Sequence, residues 1–397
     1  MKVIINGAGL GGLSLAQGLK RANIDFRVFE RDPTKDSRLQ GYRLRINPEG
    51  SEALKKLLPS DLWTVFQRSS ATTVFGITRV DVVTGELKKQ GPAIGHRGPP
   101  PVGNPDEVYT ADRSTLRATL LIGIEDHVEF GKEIVRYEKT ENGVKAYYAG
   151  GHVEEGDILV GADGVYSPTR RQYLPDHIPM DTDARAIYGK TLMTPDLLDR
   201  FNKNAREGIT VITDDKGVTL FLETIHFPED IVVVSHGALS SVQDYVYWVI
   251  LSPASGLPPD SELFSLTPQQ TATLSLKLTE GWHPSLRCLL ELQQIERTSI
   301  VQLTSASPDQ PSWESSNITL LGDAIHCMPP TGGVGANTAL RDAALLCELL
   351  KDKGVDGIAE YERQMREYSK QNIQASLGAM KMAFGLSLDG ARPVQYR

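Results

Sequence analysis

Residues 3–30, VIINGAGLGGLSLAQGLKRANIDFRVFE, constrain the fold more than any other part of the chain. An apolar stretch meets glycines at Gly7, Gly9 and Gly12, a helical segment follows, and a second apolar stretch ends at Glu30. This pattern predicts a strand–turn–helix–strand unit that grips the ADP half of a dinucleotide. Gly7 permits the tight turn, Gly9 lets the backbone approach a pyrophosphate, and Gly12 lets helix and strand pack closely. The helix N-terminus points unpaired N–H groups and a partial positive charge at the phosphates. Glu30 stands where a carboxylate can accept hydrogen bonds from the adenosine ribose hydroxyls. By itself the motif fits both NAD(P) and FAD.

Bulk properties narrow the remaining classes. A chain of 397 residues is long enough for two or more domains. Its net charge of −8 gives no electrostatic support to a nucleic-acid surface, so no such partner is expected. Cys288, Cys327 and Cys347 lack metal-ligand spacing, which predicts no metal site and suits a reducing compartment. The first strand begins at the second residue, leaving no room for a leader, and no apolar run reaches the ~20 residues of a membrane span. The expectation is a cytoplasmic protein with no implied protein partner.

Periodicity organises the rest. Residues 41–46 read as a short strand carrying Arg43 and Arg45 on one face, and Asn47-Pro48 opens a helix running to about Leu58. Residues 72–83 alternate toward a Thr84-Gly85 hairpin, and 91–106, with His96 and Arg97, form a Gly/Pro-rich loop. Asp112 caps the helix RSTLRATLLIG, whose first turn holds Arg113, a cation placed against the helix dipole. A β-meander is expected over 133–160. Strand-like runs at 186–193, 209–213, 218–223, 231–236 and 245–251, with one helix near 195–203, predict an inserted antiparallel sheet. Helices are expected over 267–292, strands at 295–303 and 317–321, and helices at 335–350 and from 357 into the 380s.

Two further constellations bear on the ligand. After the strand at 317–321 comes GDAIHCMPPTGGVGANTALRDAALL, with Asp323 at the C-terminal end of the strand, the ligand edge of a parallel sheet. Gly332, Gly333 and Gly335 allow close backbone approach, and a helix beginning near Ala336 aims its N-terminus at the same crevice. A second helix dipole beside a carboxylate exceeds what NAD requires and suits FAD. Asp323 would hold a ribityl hydroxyl, and the N–H groups of Gly335, Ala336 and Asn337 would stabilise negative charge on the flavin pyrimidine. The third constellation, GADGVYSPTRR, again ends a strand in a carboxylate, Asp163, followed by Ser167 and Arg170.

Together the three motifs resemble the class A flavoprotein monooxygenases, the FAD-dependent aromatic hydroxylases. The matching features are GAGLGG with Glu30, the helix led by Asp112-Arg113, GADG with Ser167 and Arg170, and GDAIHCMPPTGGVGAN. The resemblance implies an α/β fold: a Rossmann-like FAD-binding domain, an inserted antiparallel β-sheet substrate domain, and C-terminal helices. On this reading residues 1–70, 103–175 and 296–352 form the FAD-binding domain, 71–102 and 176–295 the substrate domain, and 353–397 a C-terminal helical segment. The resemblance also implies that Arg113 reaches the FAD phosphates and that Asp163-Gly164 serves both FAD and NAD(P)H. The 329–331 loop would pass the flavin ring beside the substrate.

The implied reaction consumes NAD(P)H and O₂, with a C4a-hydroperoxyflavin passing one oxygen to an aromatic or polycyclic small molecule. Hydroxylation is the default outcome, with epoxidation or Baeyer–Villiger-type insertion open to the same oxidant. Two alternatives stand beside it: a flavin-dependent reductase or dehydrogenase on the same scaffold, and a non-catalytic FAD- or substrate-binding protein. Substrate-pocket candidates are Arg43, Arg45, Tyr245, Tyr247 and Pro330. His226 and His236 read as structural or exposed, and His326 as a packing or hydrogen-bonding residue. No catalytic acid or base is assigned.

Overall fold

A computed structural model describes residues 1–37, 41–88 and 107–395; the expected loop with His96 and Arg97 lies outside the described residues. The N-terminal strand Lys2–Asn6 is central in a five-stranded parallel sheet. Across that sheet the strands run Ile318–Leu320, Ile158–Gly161, Lys2–Asn6, Asp25–Glu30 and Val128–Phe130. Alternation along each strand decides what each face meets. Val3, Ile5, Ile158, Val160 and Leu320 pack under helices Leu10–Arg21, Gly335–Lys353 and Gly357–Phe384. Ile4, Phe29, Leu159 and Ile318 pack against a three-stranded meander, Ile134–Thr140, Gly143–Tyr148 and Val153–Gly156.

Among the described residues the second sheet has eight strands. Its path runs Ser299–Ser305, Met180–Leu192, Tyr245–Pro253, Thr219–Ile225, Ile209–Thr213, Ile77–Val80 and Leu87–Lys88, while Arg392–Pro393 pairs with Met180–Leu192 off this path. Trp248, Ile250, Leu220 and Leu222 face one side and pack on helix Pro284–Glu291. Tyr188, Phe221, Tyr247 and Val249 face the other, toward the parallel-sheet lobe. The sheet is antiparallel except where Ile209–Thr213 meets Ile77–Val80 in parallel.

Several expectations are corrected. The run at 231–236 is a short helix, Ile231–Val234, because Asp230 caps it by accepting the Val232 N–H at 2.8 Å. That cap outweighs the β-propensity of an Ile-Val-Val-Val run. The helices expected over 267–292 are Pro268–Leu278 and Pro284–Glu291, separated at Gly281 with φ +85°. Strand Ser299–Ser305 pairs with Met180–Leu192, so the second sheet extends past the expected boundary at 295. The segment after 353 is not wholly helical: Gly385, left-handed at φ +68°, ends the long helix, and Arg392–Pro393 returns to the second sheet.

Candidate cofactor and substrate site

A cleft of about 1970 Å³ opens at the C-terminal ends of the parallel strands. Parallel α/β sheets bind ligands at this edge, where helix N-termini and strand ends converge. Gly7, Gly9, Gly12, Glu30, Arg113, Asp163, Asp323, Gly335 and Ala336 all line it. Gly7 sits at φ +113°, and a Cβ there would lie 2.2 Å from the Ala162 carbonyl oxygen. A Cβ on Gly12 would lie 2.1 Å from the Gly7 carbonyl oxygen, so helix and strand approach this closely only with glycine. A Cβ on Gly9 meets no protein atom within 4 Å, since that position looks into the cleft.

Glu30 is buried, and both its oxygens bind backbone: Oε2 accepts the Ala8 N–H at 2.8 Å and Oε1 the Asp32 N–H at 3.0 Å. Arg117, absent from the sequence reading, braces the same turn by donating from Nε to the Ala8 carbonyl at 2.8 Å. The signal was its position four residues after Arg113, on the same helix face. Arg113 itself lies with its guanidinium 5.3 Å from the Tyr42 ring centre.

Asp163 Oδ2 accepts the Thr169 hydroxyl at 2.7 Å and the Thr169 N–H at 3.1 Å, while Oδ1 is buried with no hydrogen-bond partner. Burial pushes its carboxyl pKa up, against those hydrogen bonds. Arg170, almost fully buried, donates to the Ala324 carbonyl at 2.9 Å and so ties the GADG turn to the GDAIH turn. Asp323 is exposed and lines the cleft; desolvation raises its carboxyl pKa, and the charges of His326 and Arg113 oppose that rise.

The helix Gly335–Lys353 begins without a side-chain cap and without an acid in its first turn. Its leading N–H groups therefore face the cleft unsatisfied by side chains. Asn337 is not a cleft wall. Its side chain is buried and accepts the Asn47 N–H at 2.9 Å while donating to the Arg45 and Gly333 carbonyls at 2.9 and 3.0 Å. It thus fixes the helix start against strand Arg43–Ile46. An orphaned carboxylate oxygen at Asp163, an open cradle at Gly9 and an uncapped helix N-terminus are the donor and acceptor set that a long dinucleotide with a polyol chain requires. These residues fit FAD.

A second cavity, about 870 Å³, adjoins the first and shares Arg43, Arg45, Tyr188, Tyr247, Pro330 and Gly333 with it. Its other walls are largely apolar, including Phe221, Val249 and Leu251 of the large sheet. Ala379 and Phe384 of the C-terminal helix close it; nothing in their local sequence marks them as pocket residues. Glu223, also missed in the sequence, is buried between Arg43 and Arg45. Arg45 donates to Glu223 Oε1 at 2.7 Å, and burial, opposed by Glu223, brings its pKa down to about 10.

Tyr245 is a correction. It shares a strand face with Tyr247 but lies two residues along, outside this cavity, packed with Ala71, Ile225 and Phe227. Its hydroxyl donates to Asp112 Oδ2 at 2.9 Å, where Asp112 also pairs with Lys190. His226 is exposed and pairs with Asp244, and His236 is exposed at a left-handed helix end, φ +51°. His326 is fully buried and bonded to Asp342. Among the described residues no group of histidine, cysteine or acidic side chains could hold a metal ion.

Comparison with known proteins bears on the ligand. A family model described as an FAD binding domain matches residues 123–376. The chain is 41% identical to the dual O-methyltransferase/FAD-dependent monooxygenase CTB3 of Cercospora beticola, over 96% of this chain and 46% of that protein. The chain thus spans about half the length of the curated relatives it matches most strongly. It is 26% identical to the FAD-dependent monooxygenase thnD of Trichoderma harzianum, covering 96% of this chain and 92% of that protein. Among solved structures, a Photorhabdus luminescens protein provisionally described as an FAD containing monooxygenase superimposes with a TM-score of 0.78. It is 32% identical, over 97% of this chain and 98% of that one. Klebsiella pneumoniae HpxO, complexed with FAD and uric acid, shares the fold at 21% identity and a TM-score of 0.75, over 97% and 89% of the two chains.

Proposed function

The chain belongs to the FAD-dependent monooxygenase family, and from that premise we propose that it oxygenates an aromatic or polycyclic small molecule. In this proposal NAD(P)H is the reductant and O₂ the oxidant. The carrying observation is the shared wall: the cofactor-sized cleft and the aromatic-lined cavity meet at Arg43, Arg45, Tyr188, Tyr247, Pro330 and Gly333. FAD, when bound, supplies the redox chemistry and the activation of oxygen.

The chain's own residues would do the rest. Gly7, Gly9 and Gly12 would admit the pyrophosphate, and Glu30 would hold the turn around it while facing the ribose. Asp163 and Asp323 would accept hydrogen bonds from the cofactor, and Arg113 would balance its phosphate charge. The first N–H groups of Gly335–Lys353 would favour negative charge on the reduced ring, with Asn337 fixing where that helix starts. Tyr188, Tyr247 and Pro330 would hold a flat substrate, and the apolar walls would keep water from the reacting centre.

We assign residues 1–70, 107–175 and 306–352 to the cofactor lobe and place Ser299–Ser305 with the substrate sheet, as its strand pairing supports. A cytosolic setting is supported by the three buried, unpaired thiols. Among the described residues no helix is long and apolar enough to cross a membrane.

The experiment is direct. Purified protein should carry flavin absorbance, oxidise NAD(P)H in the presence of substrate, and place ¹⁸O from labelled O₂ in the product. Colourless protein that takes up no added FAD refutes the reading, and product without label moves the activity to the reductase class.

A further inference from the structure

We propose that Tyr148, Asn6 and Thr169 form a one-way hydrogen-bond chain that fixes the Asp163 carboxylate, so that its unpaired oxygen accepts a hydroxyl group of FAD. The inference rests on the reading of the cleft as the FAD site and is independent of which molecule is oxygenated. It starts from the end of the first strand. Val3, Ile4 and Ile5 are apolar and fully buried, yet the strand closes on Asn6, whose side chain is buried as well. A buried amide is costly unless its oxygen and its nitrogen both find partners. Both do. Tyr148 of the meander donates its hydroxyl to Asn6 Oδ1 at 2.6 Å, and Asn6 Nδ2 donates to Thr169 Oγ1 at 3.3 Å. Thr169 in turn donates its hydroxyl to Asp163 Oδ2 at 2.7 Å.

The last acceptor dictates the direction of the chain. An ionised carboxylate only accepts, so the Thr169 hydroxyl donates to it and is left to accept from Asn6. That turns the Asn6 nitrogen toward Thr169 and its oxygen toward Tyr148, whose phenol is pushed up by burial and stays protonated. Three donors in line polarise one another toward Asp163. Burial of Asp163 by itself favours the neutral acid. Because the Thr169 hydroxyl and N–H both occupy Oδ2, the proton of that acid would sit on Oδ1 and turn an acceptor into a donor. The chain favours the charged form and leaves Oδ1, which has no protein partner, for the cofactor. Tyr148 is not itself a cleft wall, so it reaches the cofactor only through the chain. All three are positioning residues.

The test measures FAD dissociation from the holoenzyme by flavin fluorescence. Tyr148→Phe keeps the ring and should weaken FAD binding about threefold to tenfold. Thr169→Val should weaken it about tenfold or more, and Thr169→Ser, which keeps the hydroxyl, should hold near the wild-type value. In an Asp163→Asn background Tyr148→Phe should have no further effect, because the carboxylate it acts through is gone. Unchanged FAD affinity in Tyr148→Phe overturns the proposal, and so does a serine variant no better than valine. An effect of Tyr148→Phe that persists in full beside Asp163→Asn also overturns it and makes the tyrosine merely structural. Wild type that takes up no FAD overturns the cofactor reading as well, so the wild-type measurement alone tells the two failures apart.

Discussion

His326 Nε2 lies 2.6 Å from Asp342 Oδ2, with both side chains fully buried. The same Asp342 oxygen accepts the Gly322 N–H at 2.8 Å, and its other oxygen accepts the Tyr368 hydroxyl. One carboxylate thereby joins three elements: the turn that presents Asp323, the helix Gly335–Lys353 that begins at the cleft, and the C-terminal helix. Asp342→Asn should loosen the Asp323 turn and leave His326 without its charge partner. We expect weaker FAD retention and a loss of about 3–5 kcal/mol in stability, read by flavin release and denaturant unfolding.

The same pair fixes a pH dependence. Burial opposes the charge on His326, but Asp342 outweighs it, so the folded pKa lies above the ordinary histidine value. The folded chain therefore holds this proton more tightly than the unfolded chain. Stability from the pair is complete below a pH of about 6.5 and declines as pH rises through the elevated folded value. Urea unfolding across that range should show a decline in wild type that His326→Gln lacks; parallel curves would contradict this.

Gly9 and Gly12 separate binding from folding. A methyl group on Gly9 meets no protein atom, whereas on Gly12 it collides with the Gly7 carbonyl. Gly9→Ala should leave the unfolding midpoint of the FAD-free protein unchanged yet weaken FAD binding. Gly12→Ala should lower both, costing about 1–3 kcal/mol of stability. Equal effects of the two would place Gly9 against protein rather than cofactor.

Glu223 tests the buried charge cluster. Glu223→Gln leaves Arg43 and Arg45 facing each other without a counter-charge, and should cost about 3–5 kcal/mol. A melting temperature within error of wild type would mean that solvent already screens the arginines.

Tyr245→Phe removes one hydroxyl that donates to Asp112 and lies outside the aromatic-lined cavity. It should cost about 1 kcal/mol of stability and leave substrate affinity unaltered, while Tyr247→Phe changes that affinity. A binding defect in Tyr245→Phe would return that residue to the pocket.

Local chemistry explains what could be read from the chain. The glycine turn, the Asp112 cap and the strand ends at Asp163 and Asp323 are short-range patterns, and sequence spacing reports them directly. Arg43 and Arg45 were legible as one face of a strand, but Glu223 was not. It comes from a strand some 180 residues later and looks like any strand carboxylate until the two lobes meet. Tyr245 shows the converse: alternation fixes the face of a side chain and not how far along the strand a cavity extends. At 231–236 a single capping aspartate reversed a β-branched run, a competition that propensity alone does not resolve.

The wall formed by Ala379 and Phe384 has a consequence for how a disturbance spreads. The helix that carries it also buries Ile358, Tyr361 and Met365 in the core beneath the parallel sheet. One continuous element therefore packs the cofactor lobe at its start and closes the adjoining chamber at its end, so a change that displaces this helix alters both.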